Sequence, residues 1–197
     1  MTGPVNDASA DLLRELEAWT PPDEGQDRLC REYRELVRHR GDAALRREGG
    51  PAHVTASCFV FSADLDETLL CFHRKGQFWV QTGGHLEPGD PSAADAALRE
   101  AREESGLTHL TLVPGVLDLD RHDLSGRFGA CRTHWDVGFA ALAPRAEVPR
   151  TSDESEQVGW FPVEALPAPL AGRVASRAAG FRDQVRAWRS TQEHGPT

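Results

Sequence analysis

Residues 83–107, GGHLEPGDPSAADAALREAREESGL, constrain this chain more than any other stretch. They read as a glycine-rich loop that runs into a helix. Asp90 is placed to cap it, Pro91 suits its first position, and Gly106 stops it. At about 100° per residue, Glu100, Glu103 and Glu104 fall within an arc of roughly 100°. Ala94, Ala97, Leu98 and Ala101 occupy a neighbouring apolar arc. One face can therefore pack while the adjacent edge carries three carboxylates. Like charges at these spacings destabilise a helix by themselves. A divalent cation removes the repulsion, and oxygen-only ligands suit Mg²⁺ or Mn²⁺.

The run Arg99-Glu100-Ala101-Arg102-Glu103-Glu104-Ser105-Gly106-Leu107 resembles the REUxEExGU core of the Nudix box, where U is a bulky aliphatic, and Gly84 resembles its leading glycine. The resemblance covers roughly residues 53–167. It implies an α/β fold, the Nudix α/β/α sandwich with a mixed sheet. It also implies a hydrolase that uses Mg²⁺ or Mn²⁺ on nucleoside diphosphates linked to another moiety. The family spaces seven residues between an upstream Glu and the Arg. Here the loop holds one residue more, which gives Asp90 the acidic role. Ala101 is smaller than the usual aliphatic and suggests a close approach of helix to sheet.

The same resemblance assigns Glu103 and Glu104 as metal ligands, with the Gly83 carbonyl as a further one. Glu100 matches a position that serves as ligand or base. Arg99 orients Glu100 or pairs with Glu103. In the family the loop backbone faces the diphosphate, which makes Gly84 a substrate-binding candidate, and His85, directly after it, is a candidate to touch substrate phosphate or a metal-bound water. His122 and His134 are candidates to line the same pocket. A late acidic loop, Asp153-Glu154-Ser155-Glu156, supplies the base in several relatives, so Glu154 and Glu156 are catalytic candidates alongside Glu100 and Arg99. Glu156 is slightly favoured because it lies nearer the following strand.

Three functional classes share such a fold. An isomerase of the isopentenyl diphosphate type needs a cysteine after the strand preceding the box, and Gln81-Thr82-Gly83-Gly84-His85 has none. Nucleotide-binding sensors on this fold tend to lose box carboxylates or gain a DNA-binding domain, and neither feature is evident. A hydrolase is the reading that remains. Its chemistry needs cations to neutralise phosphoanhydride oxygens and carboxylates to hold them.

The rest of the chain divides into a helical extension over residues 1–50, a Nudix domain over 51–167, and a C-terminal helix and tail over 168–197. Helices are expected over residues 11–19, 26–39 and 42–48. Leu29, Tyr33, Leu36 and Val37 need a partner surface, which could be the core or a second copy in a homodimer. Strands are expected at residues 54–61, 68–73, 78–81, 107–113, 116–119, 133–142 and 158–162. A short helix at 163–166 and a longer one at 170–188 complete the chain. Asp118, Asp120, His122 and Asp123 read as a solvated hairpin.

The formal charge of −9 argues against a nucleic-acid surface. It leaves a nucleotide substrate open, because bound cations reverse the local sign. No apolar run is long enough to span a membrane, and the N-terminal residues lack a signal-peptide pattern, so a cytoplasmic location is expected. Cys30, Cys58, Cys71 and Cys131 form no CxxC pair and read as buried free thiols.

Overall fold

The computed structural model describes residues 7–124, 129–144, 147–152 and 155–193. The elements are α1 (Ala8–Ala18), α2 (Glu24–Arg40), β1 (Ala52–Ser62), β2 (Glu67–His73), β3 (Phe78–Val80), β4 (Thr82–His85), α3 (Ala93–Ser105), β5 (Thr111–Leu112), β6 (Asp118–Asp123), β7 (Thr133–Ala143), β8 (Ser155–Pro162) and α4 (Val174–Glu193). The strands form a mixed sheet in the order β3-β2-β1-β7-β5, with β4 paired to β1, β6 to β7 and β8 to β2. Among the described residues, no helix is long and apolar enough to cross a membrane.

The chain divides into two compact units. The first comprises Met1–Ser57, Gly83–Arg99 and Pro114–Phe139. In it, α1 and α2 start at Asp7 and Asp23, whose carboxylates accept from the amides of Ala10 and Gln26. The buried stripe of α2 is Gln26, Cys30, Tyr33 and Val37, one residue round from the expected Leu29 and Leu36, which are half-buried. Polar anchors set this rotation. Gln26 exchanges two hydrogen bonds with the backbone of Leu119, at 3.0 and 2.8 Å, and the Tyr33 hydroxyl donates to the Asp136 carbonyl at 2.9 Å. The Tyr33 ring meets Trp135 edge-on at 4.9 Å. The stripe of α2 is thus covered by the chain's own β6 and β7.

The expected helix at 42–48 is two 3₁₀ turns, Gly41–Ala44 and Arg47–Gly49. The Arg40 guanidinium ties them together by donating to the carbonyls of Ala43, Gly49 and Ala52. The strand expected at 116–119 runs instead through the acidic patch, from Asp118 to Asp123, in register with Gly138 back to Thr133.

The second unit comprises Cys58–Thr82, Glu100–Val113 and Ala140–Thr197. Here β2 pairs with β3 on one side and with β8 over Glu67–His73 on the other. Phe181 of α4 packs on Phe59 at 4.8 Å, and the Arg177 guanidinium lies 5.7 Å from the Phe59 ring. The helix starts at Val174 and not at 170. Leu170 instead forms a parallel bridge with Trp79, with Trp79 N–H donating to the Pro169 carbonyl and Ala171 N–H donating back to that of Trp79, and Gly172–Arg173 turn into the helix. Residues 163–166 form a turn, not a helix. The strand expected over 107–113 shrinks to Thr111–Leu112, because the amides of Thr108 and His109 donate to the Glu147 carboxylate instead of to a strand.

Candidate active site

In the first unit, the glycine pair lies within a strand, β4, where the sequence suggests a loop. Gly83 passes so close to β1 that a Cβ there would sit 2.7 Å from the Ser57 Cα and 2.8 Å from the Ala56 carbonyl oxygen. Only a residue without a side chain fits this approach.

After β4 the chain turns at Glu87–Asp90, closed by Asp90 N–H donating to the Glu87 carbonyl at 3.0 Å. Asp90 does not cap the helix. Its buried carboxylate accepts the Glu87 amide at 2.7 Å and both Nε and Nη2 of Arg99 at 3.0 Å. Nη2 of Arg99 also donates to the His85 carbonyl at 2.9 Å. Ser92 takes the capping position, its Oγ accepting from the Asp95 amide at 3.0 Å and donating to the Asp95 carboxylate at 2.7 Å. Arg99 thus braces the loop from the helix.

Other polar groups of this unit line one side of β1 and β7. Asp136 is 4% exposed and accepts from Ser57 Oγ at 2.6 Å and Thr55 Oγ1 at 3.2 Å. The sequence offers Asp136 only as one residue of an alternating strand, and nothing local marks it as buried. The His85 ring lies 5.0 Å from that of His53 and 5.3 Å from that of His134. Burial, followed by the neighbouring His53, holds the His85 imidazole down at about 4. Burial and the His85 ring hold His134 at about 3. His122 lies 5.6 Å from His134 in ring-centre distance and is exposed, with its Nδ1 3.0 Å from Asp120 Oδ2.

In the second unit, the last turns of α3 carry the three glutamates. The buried stripe of the helix runs through Ala93, Ala96, Ala97, Ala101, Glu104 and Ser105, while Ala94 and Leu98 are half-buried. Glu104 thus lies within the packed face, 7% exposed, while Glu100 is half-buried and Glu103 exposed. The Cys71 thiol donates to the Glu104 carbonyl at 3.9 Å, and burial with the Glu104 charge pushes that thiol well above its ordinary range. Gly106 ends the helix as expected, at φ +68°, with its N–H donating to the Arg102 carbonyl at 2.8 Å.

Glu156 belongs to β8 and not to a loop. It is exposed, and its Oε1 accepts from Gln77 Nε2 at 3.0 Å. Its neighbour Ser155 is buried and bonded to the Cys71 thiol. The pairing of β2 with β8 shifts register between Phe72 and His73, so Glu156 stands at a bulge with no partner residue across the ladder. Glu154 lies outside the described residues.

Residues 51–184 match the NUDIX domain. Over 139 residues, 64% of this chain and 39% of the relative, the sequence is 31% identical to human "8-oxo-dGDP phosphatase NUDT18". The mouse protein of that name is 33% identical over 119 residues, 56% of this chain and 33% of its own. The chain thus spans two fifths or less of the length of these curated relatives. Among solved structures, a NUDIX-family hydrolase from Clostridium perfringens superposes with a TM-score of 0.55 at 24% identity, covering 68% of this chain and 97% of its own. The E. coli dihydroneopterin triphosphate pyrophosphohydrolase gives 0.57 at 18% identity, covering 66% and 95%. These structures share its fold, an α/β/α sandwich.

Proposed function

This chain belongs to the NUDIX domain family, and on that premise we propose that it hydrolyses a phosphoanhydride in a nucleoside diphosphate linked to another moiety, with a divalent cation held by α3. The observation that carries the reading is the placement of Glu100, Glu103 and Glu104 on the last turns of one helix, with Glu104 93% buried in a stripe otherwise made of small residues. The donor set is all oxygen and all anionic, which fits Mg²⁺ or Mn²⁺. When bound, the cation neutralises phosphate oxygens and favours attack by water.

The chain's own residues have separate tasks in this reading. Glu103 and Glu104 would hold the cation. Glu100, half-buried and on the same helix edge, accepts a proton from the attacking water at its carboxylate. It replaces Glu156 as the favoured base, because Glu156 is exposed and engaged with Gln77. Arg99 is a positioning residue that holds the loop through Asp90 and the His85 carbonyl.

The test is hydrolysis across ADP-ribose, sugar nucleotides, dinucleoside polyphosphates, modified nucleoside triphosphates and 8-oxo-dGDP. The last is included because the human and mouse relatives carry its name. Chelator should abolish activity, and Mg²⁺ or Mn²⁺ should restore it. Glu103→Gln and Glu104→Gln should each lower turnover by roughly two orders of magnitude. Full turnover in chelator would overturn the reading. Tight nucleotide binding with no product on any substrate would favour a sensor.

A further inference from the structure

His53, His85, Cys131 and His134 meet at one place in the first unit, although they come from β1, β4, the segment entering β7 and β7 itself. One potential ligand atom from each lies within 4.8 Å of all the others. The ring centres of the three histidines are 5.0, 5.2 and 5.3 Å apart, and Sγ of Cys131 is 3.9 Å from Nε2 of His85.

His53 is fully buried, and its two nitrogens have different fates. Nδ1 lies 2.9 Å from the Gly50 carbonyl and must donate to it, which leaves the lone pair on Nε2. That Nε2 is buried and has no hydrogen-bond partner. Nε2 of His134 is likewise buried and unpartnered. Native interiors rarely leave such acceptors bare, and an imidazole oriented by a backbone carbonyl is how proteins present a nitrogen to a metal.

We propose that these four residues form a closed, tetrahedral metal centre that takes zinc. Three imidazole nitrogens and a thiolate suit Zn²⁺ and are a poor set for Mg²⁺, which wants oxygen. Cys131 enters as the thiolate, its proton passing to solvent. Zinc bonds of about 2.0 Å to nitrogen and 2.3 Å to sulfur place ligand atoms about 3.3–3.6 Å apart. The four ligand atoms, within 4.8 Å of one another in the free chain, would close to that spacing around the bound ion. With four protein ligands, the site leaves no open position for substrate, so its role is structural. It pins the end of β4 to β1 and to the segment entering β7, where Arg132 N–H and Thr133 N–H already donate to the Pro51 carbonyl.

The test loads the full chain with Co²⁺ and, separately, with Zn²⁺. Wild-type protein should bind about one zinc per chain, and the cobalt form should show a thiolate-to-metal charge-transfer band with tetrahedral d–d intensity. Cys131→Ser should lose the charge-transfer band, and His53→Ala should lose most of the bound metal. The double variant Glu103→Gln/Glu104→Gln should keep the metal and the spectrum, which separates failure here from failure of the hydrolase reading. X-ray absorption on zinc-loaded wild type needs no variant, and should give one sulfur and three imidazole nitrogens. A cobalt form without the charge-transfer band, a band that survives Cys131→Ser, or a zinc shell lacking sulfur would overturn the proposal.

Discussion

Arg99 meets Asp90 through paired hydrogen bonds, Nε to Oδ1 and Nη2 to Oδ2, each 3.0 Å long. The geometry is the planar fork that guanidinium offers a carboxylate. Asp90 is 7% exposed at its side chain and Arg99 21%. Removing one partner leaves the other charge poorly solvated. Asp90→Ala should cost about 3 kcal/mol and Asp90→Asn about 1.5 kcal/mol. Urea unfolding of both variants measures this. Equal stability to wild type would show that the pair does not hold the loop.

Gly83 should resist any side chain. Its virtual Cβ lies 2.7 Å from backbone and side-chain atoms of Ser57. Gly83→Ala should therefore destabilise by about 2 kcal/mol or more. Gly89→Ala, six residues on, meets nothing within 4 Å and should change stability by no more than about 0.5 kcal/mol. Thermal unfolding of the two variants side by side gives the comparison.

The base is tested by charge removal at two positions. Glu100→Gln should reduce turnover by about 100-fold and flatten the acidic limb of the rate–pH profile. Glu156→Gln should leave turnover within about twofold, in line with an exposed surface substitution. Turnover against pH, measured at saturating metal, checks both. The opposite ranking would return the base to the strand β8.

Glu15 should make stability fall as pH rises. Burial, then the charges of Asp11 and Asp95, raise its carboxyl to about 7, and its Oε2 is buried without a hydrogen-bond partner. The ordinary value is 4.5, so between about 4.5 and 7 the folded chain binds a proton that the unfolded chain has released. Stability is therefore full below 4.5 and is lost as pH climbs through 7. Glu15→Gln should remove that slope and gain about 1 kcal/mol at pH 8, a figure reduced because the side chain is partly exposed. Denaturant unfolding at pH 5 and pH 8 measures the difference, and a gain of equal size at both pH values would contradict it.

Much of the scaffold was legible in the residues. α3 and its stop at Gly106, the strands β1, β2 and β7, and the two N-terminal helices all follow from periodicity and from residues with fixed backbone preferences. The box glutamates could be placed on one helix edge for the same reason, since i, i+3 and i+4 neighbours are determined by the helix alone. Errors arose where a side chain elsewhere in the fold competed. Asp90 could cap a helix, but Arg99 holds its carboxylate, and Ser92 takes the cap. Residues 107–110 could form a strand, but the amides of Thr108 and His109 go to Glu147.

The sequence by itself therefore determined the long periodic elements α1, α2, α3, β1, β2 and β7 and which residue types stand on α3. Only the tertiary structure decided that Glu104 is buried while Glu103 is exposed, and that Asp136 sits beneath Thr55 and Ser57. It also decided that His53, His85, Cys131 and His134 converge. Local periodicity acts over a few residues, through backbone geometry common to every chain. Convergence depends on strand pairing between distant segments, and no spacing along the chain records that pairing.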